Sequence, residues 1–130
     1  MPLTPEVRNE VFAKLKAGLK KQVPPMVCYE DKPGVYGIMG NKPVVYGSTK
    51  KIVPGMYFSS AVARKDMVSF YLFPLYYRSK EFTKLAPTMM KCLKGKTCFN
   101  FKKGEQVVGK ELDALLRKGT KIWKELGYMK

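Results

Sequence analysis

Hydrophobic positions near the N-terminus follow a helical period and predict an amphipathic helix over residues 4 to 21. Apolar side chains recur at every fourth residue, at Val7, Val11, Leu15 and Leu19. Thr4 is the expected N-cap, and Pro5 occupies the first helical position, where a missing N–H is tolerated. The helix should end before Pro24-Pro25 and pack its apolar stripe on another element.

Residues 27 to 74 change to the two-residue alternation of β-strands, interrupted by turn signals. The turns are expected at Gly40-Asn41, Gly47-Ser48 and Lys65-Asp66. Together they predict an antiparallel meander. The strand that follows Lys65-Asp66 is apolar on both faces, which indicates a central strand covered on two sides, or one whose second face lines a ligand pocket or a dimer contact.

The helical period returns over residues 79 to 127. Phe82, Leu85, Ala86, Met89 and Leu93 share one face, with Ser79 as a candidate cap. Pro87 predicts a kink or a second short helix at this point. A short strand carries Thr97, Phe99 and Phe101, and a strongly amphipathic helix then stops at Gly127.

These elements predict a single α+β domain over residues 1–130. It should contain an N-terminal helix, an antiparallel sheet of about four to six strands, and two or more C-terminal helices packed on the sheet. A chain of 130 residues is long enough for one core and too short for two.

Three segments carry a resemblance to a known family. They are the run from Lys65 to Tyr76, the run from Leu93 to Phe101, and the helix that closes in Leu126-Gly127-Tyr128. Over residues 30 to 128 the chain resembles the YdhG-like family of domains of unknown function, and the most specific part is the segment from Gly95 to Phe101. The resemblance implies an α+β fold with an antiparallel sheet and packing helices.

The family suggests little about activity, and it has no catalytic motif to transfer. One bacterial branch is linked to intracellular iron delivery and is compared with frataxin, a role that would depend on acidic surface residues. This chain has no His, 10 Asp and Glu, and a net charge of +15. Iron binding is therefore not carried over to it.

The excess of positive charge indicates an anionic partner, either a small molecule or a nucleic acid. No segment is long and apolar enough to predict a membrane partner. Three cysteines without a paired spacing are expected to be thiols in the cytoplasm. No cofactor is expected.

A lysine-rich stretch from Phe82 to Gly104 contains no acidic residue. Its lysines are the candidate anion-binding residues: Lys84, Lys91, Lys94, Lys96, Lys102 and Lys103. Phe99 and Phe101 would be stacking platforms for nucleic acid, or else they point into the core and the lysines only coat the surface. The alternation favours the second interpretation.

The eight tyrosines suggest a different site, an aromatic pocket for a small molecule on one face of the sheet. Tyr71, Tyr57 and Tyr36 are the candidates, with Tyr71 the preferred residue. Tyrosines also stabilise strands without any ligand, so the two interpretations stay open.

No catalytic or metal-binding group is predicted. Cys98 has no His to act as a base, and the carboxylates form no pair. The sequence therefore favours a non-enzymatic binding module for an anionic or aromatic small ligand or a phosphate backbone. The alternative is a protein-interaction domain, or a homodimer, that uses the apolar strand 67–77.

Overall fold

In a computed structural model, residues 3–46 and 50–130 form a layer of helices packed on a β-sheet. The helices are α1 (Pro5–Lys20), α2 (Pro74–Arg78) and α3 (Gly109–Glu125). The strands are β1 (Val27–Lys32), β2 (Val35–Met39), β3 (Val44–Tyr46), β4 (Lys51–Val53), β5 (Tyr57–Ala63), β6 (Val68–Leu72), β7 (Leu93–Lys94) and β8 (Cys98–Phe101). The predicted Gly47-Ser48 turn lies outside the described residues.

Six strands form one antiparallel sheet in the order β1-β2-β5-β6-β8-β7. The strands β3 and β4 pair with each other as a separate two-stranded sheet. The predicted fold, an N-terminal helix followed by an antiparallel sheet and C-terminal helices, is confirmed. The short strand β8 joins the sheet beside β6, so the sheet extends beyond the 27–74 segment in which it was expected.

One face of the sheet is packed against α1 and α3 and holds the core. Val11, Leu15 and Leu19 of α1 are fully buried, as the four-residue spacing predicts. From the sheet side, the cross-strand neighbours Ala61, Phe70 and Phe99 form one buried row. From α3, Trp123 contacts Phe58 edge to face.

A bulge in β5 changes which of its residues enter the core. Met39 pairs with Tyr57 and Ile38 pairs with Ser59, so Phe58 is the extra residue between them. Both Phe58 and Ala61 are fully buried although three positions separate them. The strict alternation expected for this strand is therefore wrong, because a bulge shifts the register of the side chains by one residue.

The segment after β6 differs most from the sequence prediction. The helix begins early, at Pro74, and ends at Arg78, and the region up to residue 93 contains only short 3₁₀ turns, Ser79–Glu81 and Met89–Cys92. Pro87 removes a backbone donor in the middle of the predicted helix, which favours turns. Phe82, Ala86 and Met89 are nevertheless buried. The sequence pattern therefore identifies the buried positions of this segment but predicts the wrong backbone conformation for it.

The last helix confirms its predicted stop. Gly127 has a φ of +82°, the left-handed conformation that glycine adopts readily. The N–H of Tyr128 then donates to the carbonyl oxygen of Trp123 at 2.9 Å, which closes the end of α3.

Candidate ligand-binding face

The sheet face opposite α1 and α3 carries a set of polar and aromatic side chains, here called the outer face. It comprises Tyr29, Tyr57, Ser60, Arg64, Ser69, Tyr71, Cys98 and Asn100. The register sets this grouping, since Ser60, Tyr71 and Cys98 are cross-strand neighbours. Ser69 and Asn100 form the next pair along the same strands. Cross-strand neighbours point to the same side of a sheet, so these side chains converge.

Arg64 organises the centre of the outer face. Its Nη2 donates to the Tyr71 hydroxyl at 2.7 Å and its Nε donates to Ser69 Oγ at 3.0 Å. Ser69 Oγ in turn donates to Asn100 Oδ1 at 3.0 Å. In the described part of the chain, no carboxylate lies within 4.0 Å of the Arg64 guanidinium. The guanidinium is therefore held in place by hydrogen bonds to uncharged side chains.

Two cavities include Tyr57 in their lining. A cavity of about 250 Å³, here called the aromatic cavity, is lined by Tyr46, Tyr57, Tyr71, Phe73 and Thr97. Tyr57 also lines a second cavity, of about 390 Å³, together with Tyr29, Met39, Pro54 and Gly55. The Tyr57 and Tyr29 rings lie 6.1 Å apart between centroids. This arrangement offers flat apolar walls with hydroxyls at their rims.

Burial changes the acidity of Tyr57. Its hydroxyl is 2.6 Å from Ser60 Oγ, and burial raises its pKa well above the usual value for tyrosine, an effect that the Ser60 hydrogen bond only partly offsets. The Tyr57 side chain is therefore a neutral wall of the aromatic cavity at physiological pH.

A third cavity, here called the basic cavity, lies at the β8 end of the outer face. It measures about 550 Å³ and is lined by Met67, Lys91, Cys92, Lys94, Asn100, Lys102 and Gln106. Burial raises the pKa of the Cys92 thiol, and the nearby charge of Lys94 works in the opposite direction. The lining contains three lysines and two carboxamides but no carboxylate. Such a lining attracts anions.

The structure brings together half of the lysines predicted to bind an anion. Lys91, Lys94 and Lys102 line the basic cavity. Lys96 lies elsewhere, with its Nζ 5.3 Å from the centroid of the Tyr76 ring. Lys84 and Lys103 are exposed and line none of the three cavities described above.

The carboxylates that form ion pairs in the structure pair with basic residues other than the six predicted lysines. Ion pairs join Lys14 to Glu10, Lys16 to Asp31, Lys21 to Asp113, Lys32 to Glu30, Arg78 to Glu81 and Glu125, and Lys118 to Glu81. Over the ranges 3–46 and 50–130, none of the six predicted lysines is within 4.0 Å of a carboxylate. The lysines that line the basic cavity are thus not held in ion pairs, and their charges are available to an anion.

The predicted aromatic trio is divided between the two faces of the sheet. Tyr71 and Tyr57 lie on the outer face and line the aromatic cavity. Tyr36 lies in the row of Ala61, on the core face, where it is 3% exposed and the Lys16 ammonium lies over its ring at 5.5 Å. Its position in the β2 register turns it toward α1, so it cannot line the pocket with the other two.

Phe99 and Phe101 are core residues. Both are fully buried, and Phe99 packs against Phe70 with ring centroids 5.5 Å apart. They offer no stacking surface to nucleic acid, in agreement with the interpretation that their alternation favoured. Between them, Asn100 points to the opposite side of the sheet.

Sequence reasoning missed Arg64, Ser69, Asn100 and Gln106. A signal existed for Ser69, since a small polar residue between Val68 and Phe70 is unusual in a central strand. Nothing in the sequence joins Ser69 to Asn100, which is 31 positions away in the chain. Only the pairing of β6 with β8 makes them neighbours.

The strand 67–77 has little apolar surface left for a partner. Val68, Phe70 and Leu72 are fully buried in the core, and β6 lies between β5 and β8 with both edges paired. Tyr76 and Tyr77, which follow the strand, are exposed by 57% and 40%. The exposed apolar side chains of this segment are therefore in α2 rather than in the strand itself.

Within the described ranges, no three His, Cys, Asp or Glu side chains are placed to hold a metal ion. None of the helices in those ranges is long and apolar enough to span a bilayer. Comparison with protein-family models, curated proteins and solved structures gives no match. The YdhG-like resemblance therefore stays a prediction.

Proposed function

We propose that this chain is a non-enzymatic binding module that takes a small phosphorylated molecule with a flat aromatic group on its outer face. One observation carries the proposal: the aromatic cavity and the carboxylate-free basic cavity lie on the same face, joined through Arg64. Tyr71 and Asn100 are diagonal neighbours on adjacent strands, roughly 7–8 Å apart. A nucleoside monophosphate spans such a distance between its base and its phosphate.

The chemistry of the outer face supports binding rather than catalysis. Its polar side chains are hydroxyls, a carboxamide, a guanidinium and the thiol of Cys98. That thiol donates to Asn100 Oδ1 at 3.5 Å and so acts as a hydrogen-bond donor within the network. The three free thiols also support a reducing, cytoplasmic setting.

A small molecule is favoured over a nucleic-acid strand. A strand would need successive exposed rings along a basic groove. Phe99 and Phe101 are buried in the core, while Tyr29, Tyr57 and Tyr71 of the outer face line discrete cavities.

The test is thermal unfolding at low salt with adenosine monophosphate as the probe. A ligand that binds only the native state raises the melting temperature, so the nucleotide should raise it more than adenosine or inorganic phosphate does alone. Tyr71→Leu removes an aromatic wall and the acceptor for Arg64, and should abolish most of the shift. Tyr76→Leu, which changes an exposed tyrosine outside the cavities, is the matched control and should retain the shift.

Two results would overturn the proposal. One is the absence of any shift with all three probes. The other is a larger shift with a short single-stranded oligonucleotide than with the mononucleotide, which would instead indicate nucleic-acid binding.

A further inference from the structure

The basic cavity, the anion end of the ligand site proposed above, contains two carboxamides whose orientation is fixed by the protein. A carboxamide has one oxygen that accepts hydrogen bonds and one NH₂ group that donates them. Which end faces the cavity decides whether Asn100 and Gln106 attract or repel an anion. Their hydrogen-bond partners determine this.

For Gln106 the partners are two backbone amides. The N–H of Lys102 donates to Gln106 Oε1 at 2.7 Å, and the N–H of Lys103 donates to the same oxygen at 3.0 Å. A backbone N–H can only donate, so the oxygen must be the atom that faces it. The Gln106 NH₂ group is left as the free end of the side chain.

For Asn100 the orientation is transmitted from Arg64. A guanidinium can only donate, so Ser69 Oγ accepts from Arg64 Nε and keeps its own proton for another acceptor. That acceptor is Asn100 Oδ1, at 3.0 Å. The Cys98 thiol donates to the same oxygen. With Oδ1 occupied by two donors, the NH₂ group of Asn100 is the end available to a ligand.

We infer that the basic cavity is a donor-only subsite for a fully deprotonated oxyanion, such as a sulfate or a phosphate ester dianion, and that Asn100 determines this specificity. Three lysines and the two carboxamides line it beside Met67 and Cys92, and a lysine ammonium carries donors without an acceptor. Hydrogen bonds to a charged acceptor are stronger than neutral ones, so this lining favours an anion that presents oxygen atoms alone. This inference rests on the proposed function, since it assigns the anion end of the same ligand.

The test uses sulfate, an oxyanion that carries no proton at neutral pH, added to ¹⁵N-labelled protein at a constant ionic strength of about 0.1 M, at which the Debye length is about 10 Å. The side-chain NH₂ resonances of Asn100 and Gln106 should shift with a common saturation curve. Asn100→Asp replaces a donor by an acceptor with a negative charge and should weaken sulfate binding at least about tenfold. Asn41→Asp is the matched control, with the same change in net charge.

Asn41 follows β2, which is three strands away from β8 in the sheet, so its substitution should weaken sulfate by less than about twofold, because exposed charges interact weakly over such distances. Equal weakening by the two substitutions would overturn the inference, since it would show attraction by the overall charge. Resonances of Asn100 and Gln106 that do not move with sulfate would also overturn it.

Ser69→Ala tests the positioning role of the chain of hydrogen bonds. Ser69 is 2% exposed, so it does not reach the ligand itself. Without its hydroxyl, the Asn100 carboxamide loses one of the two donors on Oδ1, and its NH₂ resonances in the free protein should move while sulfate affinity falls. Unchanged resonances and affinity would contradict a positioning role.

The two proposals fail in different ways. If adenosine monophosphate stabilises the protein while Asn100→Asp and Asn41→Asp behave alike, the donor-only subsite is wrong and the binding module stands. If sulfate binding depends on Asn100 but the nucleotide stabilises no more than sulfate does, the subsite stands and the aromatic part of the proposed ligand is wrong.

Discussion

At the scale of single residues, Tyr57 contributes both to the stability of the sheet and to the shape of the candidate site. Its side chain lines two cavities, and its hydroxyl forms a hydrogen bond with Ser60, which is 6% exposed. Burial favours the neutral phenol and raises its pKa. A pKa that is higher in the folded state than in the unfolded state stabilises the fold fully below the unfolded value of about 10.

This gives a prediction for alkaline pH. The contribution of Tyr57 is lost as the pH rises above 10 toward the folded pKa, so the free energy of unfolding should fall over that range. Tyr57→Phe removes a hydrogen bond and should lower stability by about 1 kcal/mol at pH 7, but it should lose less stability above pH 10 than the wild type. Denaturant unfolding at pH 7 to 11 measures both effects. Parallel pH profiles for the two proteins would contradict this account.

At the scale of elements, α3 approaches the sheet closely at one glycine. A Cβ built at Gly119 would lie 2.9 Å from Phe58 Cε1 and 3.1 Å from Pro74 Cγ. Both neighbours are buried, so they have little room to move. Gly119 therefore sets the distance at which α3 packs on β5 and α2.

The prediction compares two glycines of the same helix. Gly119→Ala should destabilise the protein by about 1–2 kcal/mol, because the overpacking exceeds the gain in helix propensity. Gly109→Ala places a methyl group at the start of α3 where nothing lies within 4 Å, and should be neutral or stabilising by a few tenths of a kcal/mol. Chemical denaturation of the two variants measures the difference, and equal effects would show that α3 is loosely packed.

At the scale of the whole molecule, the net charge of +15 makes stability depend on salt. Like charges in a compact state repel one another, and added ions screen that repulsion. Over residues 3–46 and 50–130, the six lysines of the 84–103 region have no carboxylate within 4.0 Å, so this region should contribute much of the repulsion. An anion bound at the basic cavity would reduce this repulsion more than the same concentration of unbound ions in solution.

We therefore expect low millimolar sulfate to raise the melting temperature more than chloride does at equal ionic strength. Lys94→Gln, in the cavity lining, should reduce this difference between the anions. Lys84→Gln removes the same charge outside the cavities and should leave the difference intact. If both variants keep the full difference, the preference for sulfate does not arise at the basic cavity.

The chain's own periodicities were enough to identify most of the fold. The four-residue spacing of Val11, Leu15 and Leu19 follows one helix face, and the Lys65-Asp66 turn joins β5 to β6 as expected. These features depend on residues that are close together in the chain, so the sequence is enough to predict them. The 79–93 segment was mispredicted because burial alone does not distinguish a helix from a series of turns.

By itself, the sequence determined the class of fold, the positive charge and which aromatic residues are apolar enough to be buried. Tertiary structure alone decided which face each tyrosine occupies, so that Tyr36 joins the core while Tyr57 and Tyr71 line a cavity. It also decided that Asn100 meets Ser69 and that three of six lysines share one cavity. The physical reason is that strand pairing brings together side chains far apart in the chain, and a single bulge or register shift changes the face on which they lie.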